Sequence, residues 1–94
     1  MKYEVDEIGE AIKEFTGIDV KNIGKKHKYT CIPAKYLFYR ICFENGISGT
    51  VSAYYTDCCR YLPSTGRKYH INKCKTDWDW NHQYKEFKKF LENG

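Results

Sequence analysis

The chain has 94 residues, of which 41% are hydrophobic and 30% are charged, and its formal net charge is +4. No run of about 18 apolar residues is present to cross a bilayer, and the opening Met-Lys-Tyr-Glu-Val-Asp-Glu lacks the apolar region of a signal peptide. We therefore expect one cytoplasmic domain over residues 1–94 with no membrane partner, and its five cysteines as reduced thiols.

Charge is divided unevenly along the chain. Residues 1–19 contain two Lys and six acidic residues, a net of −4, whereas residues 20–75 contain eleven Lys or Arg and two acidic residues, a net of +9. A concentrated basic segment is typical of a surface that binds nucleic acid, because each neutralised phosphate releases counterions. The alternative is a basic face that is only solvated.

The first predicted element is an amphipathic helix over residues 3–15, with Asp6 as its N-cap and Gly17 at its end. Its apolar stripe consists of Ile8, Ala11, Ile12 and Phe15. One helical turn over residues 18–23, capped by Asp19, should follow. The basic segment 24–30 is then expected to be an exposed loop, which either follows a phosphate backbone or serves as a soluble connector.

Residues 33–55 are predicted to form a helix, a turn and a second helix, around which the remaining elements pack. Pro33 suits the first turn of the long helix, and Gly46 suits the left-handed residue that ends it. Ser48 or Thr50 can cap the short second helix. The apolar stripe of the long helix consists of Ala34, Leu37, Phe38, Ile41 and Cys42, whereas Lys35 and Glu44 are expected to reach water.

After residue 55 the sequence predicts a break near Pro63 and a further helix, capped by Ser64 or Thr65, that runs to Lys75. The charges of this helix suit it to face a DNA groove. Asp77 should cap a closing helix, whose apolar stripe consists of Trp80, Tyr84, Phe87 and Leu91. These patterns together predict an all-α fold, a small bundle of five or six helices with a central helix-turn-helix.

Zinc binding and catalysis are two alternative functions that the residue types suggest. The candidate zinc ligands are Cys58, Cys59, His70 and Cys74. Adjacent cysteines chelate poorly, and structural zinc pairs are usually about two to four residues apart, so we expect no metal. No motif places a base beside a thiol, so we also expect no enzyme and no cofactor. His27 is interpreted as a loop contact, and His70 and His82 as surface groups.

From about Ile8 to Leu91 the order of elements resembles the C-terminal DNA-binding domain of the bacterial replication initiator DnaA. Residues 12–20 are similar to the opening helix and short turn of that family, and residues 25–28 to its basic loop. Residues 34–41 resemble its Ala-Arg helix, residues 48–55 the first helix of its helix-turn-helix, and residues 76–77 together with residues 84–87 its closing helix. The resemblance implies a stand-alone helical DNA-binding domain encoded by a phage or mobile element.

The family signature at the recognition helix, Arg-Asp-His-(Ser/Thr)-Thr-Val, corresponds to Asp57–Leu62, where only the final apolar position agrees. Cysteines cannot supply the hydrogen bonds to base edges that Asp and His make, so the usual origin sequence is not expected to be read. The chain also lacks a Gly-x-x-x-x-Gly-Lys-(Ser/Thr) motif, so no nucleotide is expected to bind.

The predicted function is double-stranded DNA binding, in replication or transcription control of a phage or mobile element. The predicted DNA-contacting residues are Lys25, Lys26, His27, Lys28, Lys35, Ser48, Thr50, Arg60, Tyr61, Arg67 and Lys68. The alternative is an adaptor or inhibitor that binds a host or phage protein on the same scaffold. Its interface anchors would be Tyr54, Tyr55, Tyr61 and Tyr69.

Overall fold

The computed structural model describes residues 3–22 and 31–93, and within these ranges the protein contains helices and no strands. The helices are α1 (Val5–Thr16), α2 (Ile32–Glu44), α3 (Gly49–Tyr55), α4 (Leu62–Thr76) and α5 (Trp78–Asn93). The all-α prediction is therefore confirmed. None of these helices is long and apolar enough to span a membrane.

Helix α2 lies at the centre of the bundle. It packs against α1, α3 and, most extensively, α4, while α1 and α5 contact each other. Its buried residues are Ala34, Lys35, Leu37, Phe38, Tyr39, Ile41 and Cys42, which occupy more than one side of the helix. The core continues through Ile8 and Ile12 of α1 and Phe87 of α5, all three fully buried. The ring of Phe15 meets that of Phe87 edge-to-face at 5.4 Å, which closes the bundle between α1 and α5.

Four helix ends lie where the sequence predicts them. Gly17 and Gly46 both have φ of 77°, a left-handed conformation that a Cβ would disfavour. The Ser48 hydroxyl accepts the Val51 N–H at 3.2 Å, which caps α3. Asp77 is the single residue between α4 and α5, and its carboxylate accepts the N–H of Asp79 at 3.0 Å.

The start of α1 differs from the prediction. Its N-cap is Glu4 rather than Asp6, and the Glu7 carboxylate accepts the Glu4 N–H at 2.9 Å. Asp6 instead lies in the acidic first turn, where it complements the helix dipole. After α1, the Asp19 carboxylate accepts the Lys21 N–H at 3.2 Å within a single turn, and Ile23 lies outside the described residues.

The predicted start of α4 at Ser64 or Thr65 is also wrong, and the break lies before Pro63 rather than at it. The chain turns over residues 56–61, where Asp57 has φ of 53°, and α4 already begins at Leu62. Pro63 lies in the first turn of α4, where its missing N–H leaves no helical hydrogen bond unmade. Ser64 and Thr65 are therefore inside the helix and do not cap it.

Candidate nucleic-acid interface

One side of α4 carries polar and basic side chains without a carboxylate. This row consists of Thr65, Lys68, Asn72 and Lys75, all exposed and spaced by three or four residues, so that they line one side of the helix. The sequence contains no Asp or Glu between Asp57 and Asp77. Among the described residues, neither Lys68 nor Lys75 forms an ion pair. The row, here called the α4 face, therefore keeps its positive charge available to an anionic partner.

Two further cations lie near the start of α4. Arg60 precedes the helix, donates to the Tyr61 hydroxyl at 3.0 Å, and is exposed together with that tyrosine. Arg67 is half-buried, with its guanidinium carbon 3.8 Å from the centre of the Phe43 ring. Stacking of this kind restricts the rotamers of the long side chain, so Arg67 is held in position before any ligand arrives.

The starts of α3 and α4 lie side by side. A Cβ on Gly49 would be 3.8 Å from Cβ of Pro63, and the two helices pack together. Between them and the end of α2 is a cavity of about 190 Å³, lined by residues that include Ser64 and Arg67. Ser48 and Thr50, both exposed at the start of α3, are thus brought close to the basic start of α4.

Lys35 does not belong to this surface. Only 3% of it is exposed, and its ammonium group donates to the Sγ of Cys58 at 3.4 Å. The prediction that Lys35 reaches water and contacts phosphate is wrong, because α2 is enclosed on several sides rather than along one stripe. The predicted contacts Lys25, Lys26, His27 and Lys28 lie outside the described residues.

The inner side of α4 is built around a buried histidine. His70 is fully buried, and its Nδ1 lies 3.3 Å from Nη1 of Arg40 and 3.5 Å from Sγ of Cys74. Burial, reinforced by the Arg40 guanidinium, lowers the pKa of His70 to about 4, so the imidazole is neutral at pH 7. Since Arg40 can only donate, Nδ1 accepts, and the proton resides on Nε2.

Arg40 is itself fixed by α5 and by its own helix. Its guanidinium carbon stacks 3.6 Å from the centre of the Tyr84 ring, and its Nε lies 3.5 Å from a carboxylate oxygen of Glu44. The second contact is an ion pair without an aligned hydrogen bond, since Nε is a buried donor that lacks one. Together these contacts join α2, α4 and α5 beneath the α4 face.

The prediction that His70 is a surface group is therefore wrong, whereas His82 is exposed and stacks on Trp78 at 4.6 Å. A signal for the buried side of α4 is present in the sequence, because Pro63, Gly66 and His70 follow one another at spacings of three and four. Apolar patterning does not detect it, since Gly and His do not count as hydrophobic. Because the inner side of α4 was not recognised, its outer side was not located either, and Thr65, Asn72 and Lys75 of the α4 face are missing from the predicted contacts.

The four candidate zinc ligands are divided between two elements. Cys58 and Cys59 lie in the turn before α4, whereas His70 and Cys74 lie on its inner side with Arg40. In the part of the chain that the structure describes, no three His, Cys, Asp or Glu residues come together as a metal site.

Three of the four candidate anchor tyrosines are exposed. Tyr54 is 89% exposed, Tyr61 65% and Tyr69 50%, and each belongs to a different segment: α3, the turn after it, and α4. Tyr55 is half-buried and stacks on Phe38 at 5.3 Å, so it belongs to the packing of the bundle.

Comparison with known proteins gives no match: no family model, curated protein or solved structure is similar to this chain.

Proposed function

We propose that this protein binds double-stranded DNA and that α4 is the helix that enters the major groove. The observation that carries this proposal is the α4 face, a carboxylate-free row of exposed donors and acceptors along a helix. An α-helix fits the major groove, where Lys can donate to guanine and Asn can pair with adenine. Lys68 and Asn72 are one helical turn apart and would address neighbouring base pairs.

The surroundings of α4 supply candidates for backbone contacts. Arg60 and Arg67 lie at its start, and the hydroxyls of Ser48 and Thr50 lie at the adjacent start of α3. Contacts of this type orient a protein on the duplex without reading sequence. The N-terminal end of α4 adds a favourable partial charge toward phosphate.

Residues 57–62, which replace the signature of the DnaA family, form the turn and the very start of α4. Base reading is therefore assigned to residues farther along α4, and a sequence preference different from that of DnaA follows. The resemblance favours a cytoplasmic role in replication or transcription control of a phage or mobile element, as a DNA-binding protein rather than an enzyme.

The test is fluorescence anisotropy with labelled random-sequence duplexes at several salt concentrations. If about four to six phosphates are contacted, the logarithm of affinity should fall with the logarithm of salt at a slope of roughly −4 to −5. Lys68→Glu should weaken binding about fivefold or more, since a lost contact to a base edge is worth about 1–3 kcal/mol and the reversed charge also repels phosphate.

Lys85→Glu is the matched control, because Lys85 is an exposed lysine on α5 and its reversal changes the net charge equally. It should weaken binding far less than Lys68→Glu. Equal effects of the two variants would show that only net charge matters, and absence of binding to every duplex at low salt would refute the proposal.

The second candidate is a protein-binding adaptor or inhibitor, and the exposure of Tyr54, Tyr61 and Tyr69 favours it. Truncation of a hot-spot aromatic typically weakens a complex by about 2 kcal/mol or more. The adaptor function is the correct one if Tyr61→Ala abolishes the biological activity without changing duplex binding, and if Lys68→Glu leaves the biological activity unaffected.

A further inference from the structure

Lys35 is a buried lysine without a carboxylate partner in the described part of the chain. It is 3% exposed, and none of the ion pairs there includes it. The segment 23–30, which lies outside the described residues, contains no Asp or Glu either. An ammonium group is costly to bury without an opposite charge, so its placement against a thiol points to chemistry between the two groups.

The sulfur that Lys35 meets is held in a defined place. Cys58 lies in the turn between α3 and α4, where its N–H donates to the Ala53 carbonyl at 2.9 Å. Its thiol lies 3.3 Å from the Thr56 carbonyl and 3.4 Å from Nζ of Lys35. Cys58 is only half-buried, so part of this residue is open to a molecule as small as hydrogen peroxide.

We propose that Lys35 and Cys58 are an oxidation-dependent cross-linking site, at which a peroxide converts the amine–thiol contact into a sulfenamide. In the first step the thiol reduces one hydrogen peroxide, which gives the sulfenic acid and one water. In the second step the ammonium group of Lys35 first loses a proton to solvent, and the resulting amine attacks the sulfur, so that an S–N bond forms. The S–O bond breaks, and the oxygen leaves as water with a second proton from the nitrogen.

The Lys35 amine and the Cys58 sulfur would react with each other because they are already in contact. The sulfenic acid would form within contact distance of a nitrogen that burial holds in place, and such an arrangement raises the effective concentration of the amine far above that of any solute. Cys59, next in the chain, is exposed, and no lysine is among its described polar partners. It therefore serves as an internal comparison within the same turn.

The link would join α2 to the turn that precedes α4, two segments separated by 23 residues in the chain. Two thiol molecules would reverse it by reducing the S–N bond to amine and thiol, with their own oxidation to a disulfide. The site does not depend on DNA binding, and its chemistry can be followed by mass alone.

The experiment treats the folded protein with a small excess of hydrogen peroxide and measures the intact mass. A Cys58–Cys59 disulfide also removes two hydrogens, so Cys59→Ser is the background in which the reaction is followed. The expected product is about 2 Da lighter than the starting protein, and dithiothreitol restores the original mass. Trypsin should no longer cleave after Lys35, so that peptide 29–40 is recovered joined to peptide 41–60.

Lys35→Arg in the same background keeps the positive charge, but guanidinium does not condense with a sulfenic acid, so its expected product is oxidised Cys58 without the mass loss. Cys58→Ser should give neither product. If the Cys59→Ser protein accumulates sulfinic acid at Cys58 while trypsin still cleaves after Lys35, the proposal is wrong. The peptide map uses a protein with both Lys35 and Cys58 intact, so it decides the question even if Lys35→Arg fails to fold.

Discussion

At Gly66 of α4 the side chains of α2 leave no room for a Cβ, and replacement of Gly66 by alanine tests that packing. A Cβ at this position would lie 2.7 Å from Cδ1 of Tyr36 and 3.0 Å from Cδ2 of Tyr39. The Tyr39 ring cannot withdraw easily, because it is 1% exposed and its hydroxyl is hydrogen-bonded to that of Thr56 at 2.8 Å. The two helices would therefore have to separate.

Two effects of opposite sign determine how much Gly66→Ala changes the free energy of unfolding. Replacing Gly by Ala inside a helix stabilises it by about 1 kcal/mol. Overpacking of a filled core costs about 1–3 kcal/mol. Because the new Cβ of Gly66→Ala would contact two aromatic rings, we expect its overpacking cost to be at or above the upper end of this range. We expect a net loss of about 1–2 kcal/mol, which for a domain of this size lowers Tm by roughly 5–15 °C.

Gly49→Ala is the matched control for this substitution. Its Cβ would meet nothing closer than 3.8 Å, and Gly49 does not have a positive φ. This change should raise stability by about 0.4–1 kcal/mol, because alanine restricts the unfolded chain. Thermal and urea denaturation followed by circular dichroism measure both variants. A Gly66→Ala protein as stable as the wild type, or more stable, would refute the packing of α4 on α2.

Two further predictions concern the buried side of α4 and the helix caps. Because the pKa of His70 is about 4 in the folded protein and 6.5 in the unfolded chain, the unfolded chain binds the proton first. The stabilisation should therefore be fully present about one pH unit or more above 6.5, and the free energy of unfolding should be about 2 kcal/mol lower at pH 5. Urea midpoints across this range measure the loss, which should be smaller in His70→Gln; an equal loss in that variant would show that another group is responsible. Ser48→Ala should cost about 1 kcal/mol because it removes the cap of α3, whereas Ser64→Ala inside α4 should change stability by much less. If denaturation experiments show that Ser64→Ala loses as much stability as Ser48→Ala, Ser64 has a capping role that the structure does not show.

The local features of this fold are readable from the sequence because they depend on nearest neighbours. Gly17 and Gly46 end helices because their backbone can become left-handed, and Ser48 and Asp77 begin them because their side chains accept nearby N–H groups. The apolar residues of α1 and of α5 recur at helical spacing along one side of each helix, so periodicity identifies Ile8, Ile12 and Phe87 as core. The basic, carboxylate-free composition of α4 is likewise a property of the sequence alone.

Tertiary packing decided what local patterns do not contain. Lys35 occupies an apparently polar position of α2, yet α2 is surrounded by α1, α3 and α4, so its amine is enclosed and turned toward Cys58. His70 has the sequence context of a surface group, but α2 and α5 supply Arg40 and Tyr84 around it. Whether Pro63 breaks a helix or starts one depends on where the helix begins. The turn over residues 56–61 sets that point, so Pro63 falls in the first turn of α4. Burial is a property of the whole bundle rather than of three or four consecutive residues, and for this reason the sequence located the helices while the structure determined which of their polar side chains face water.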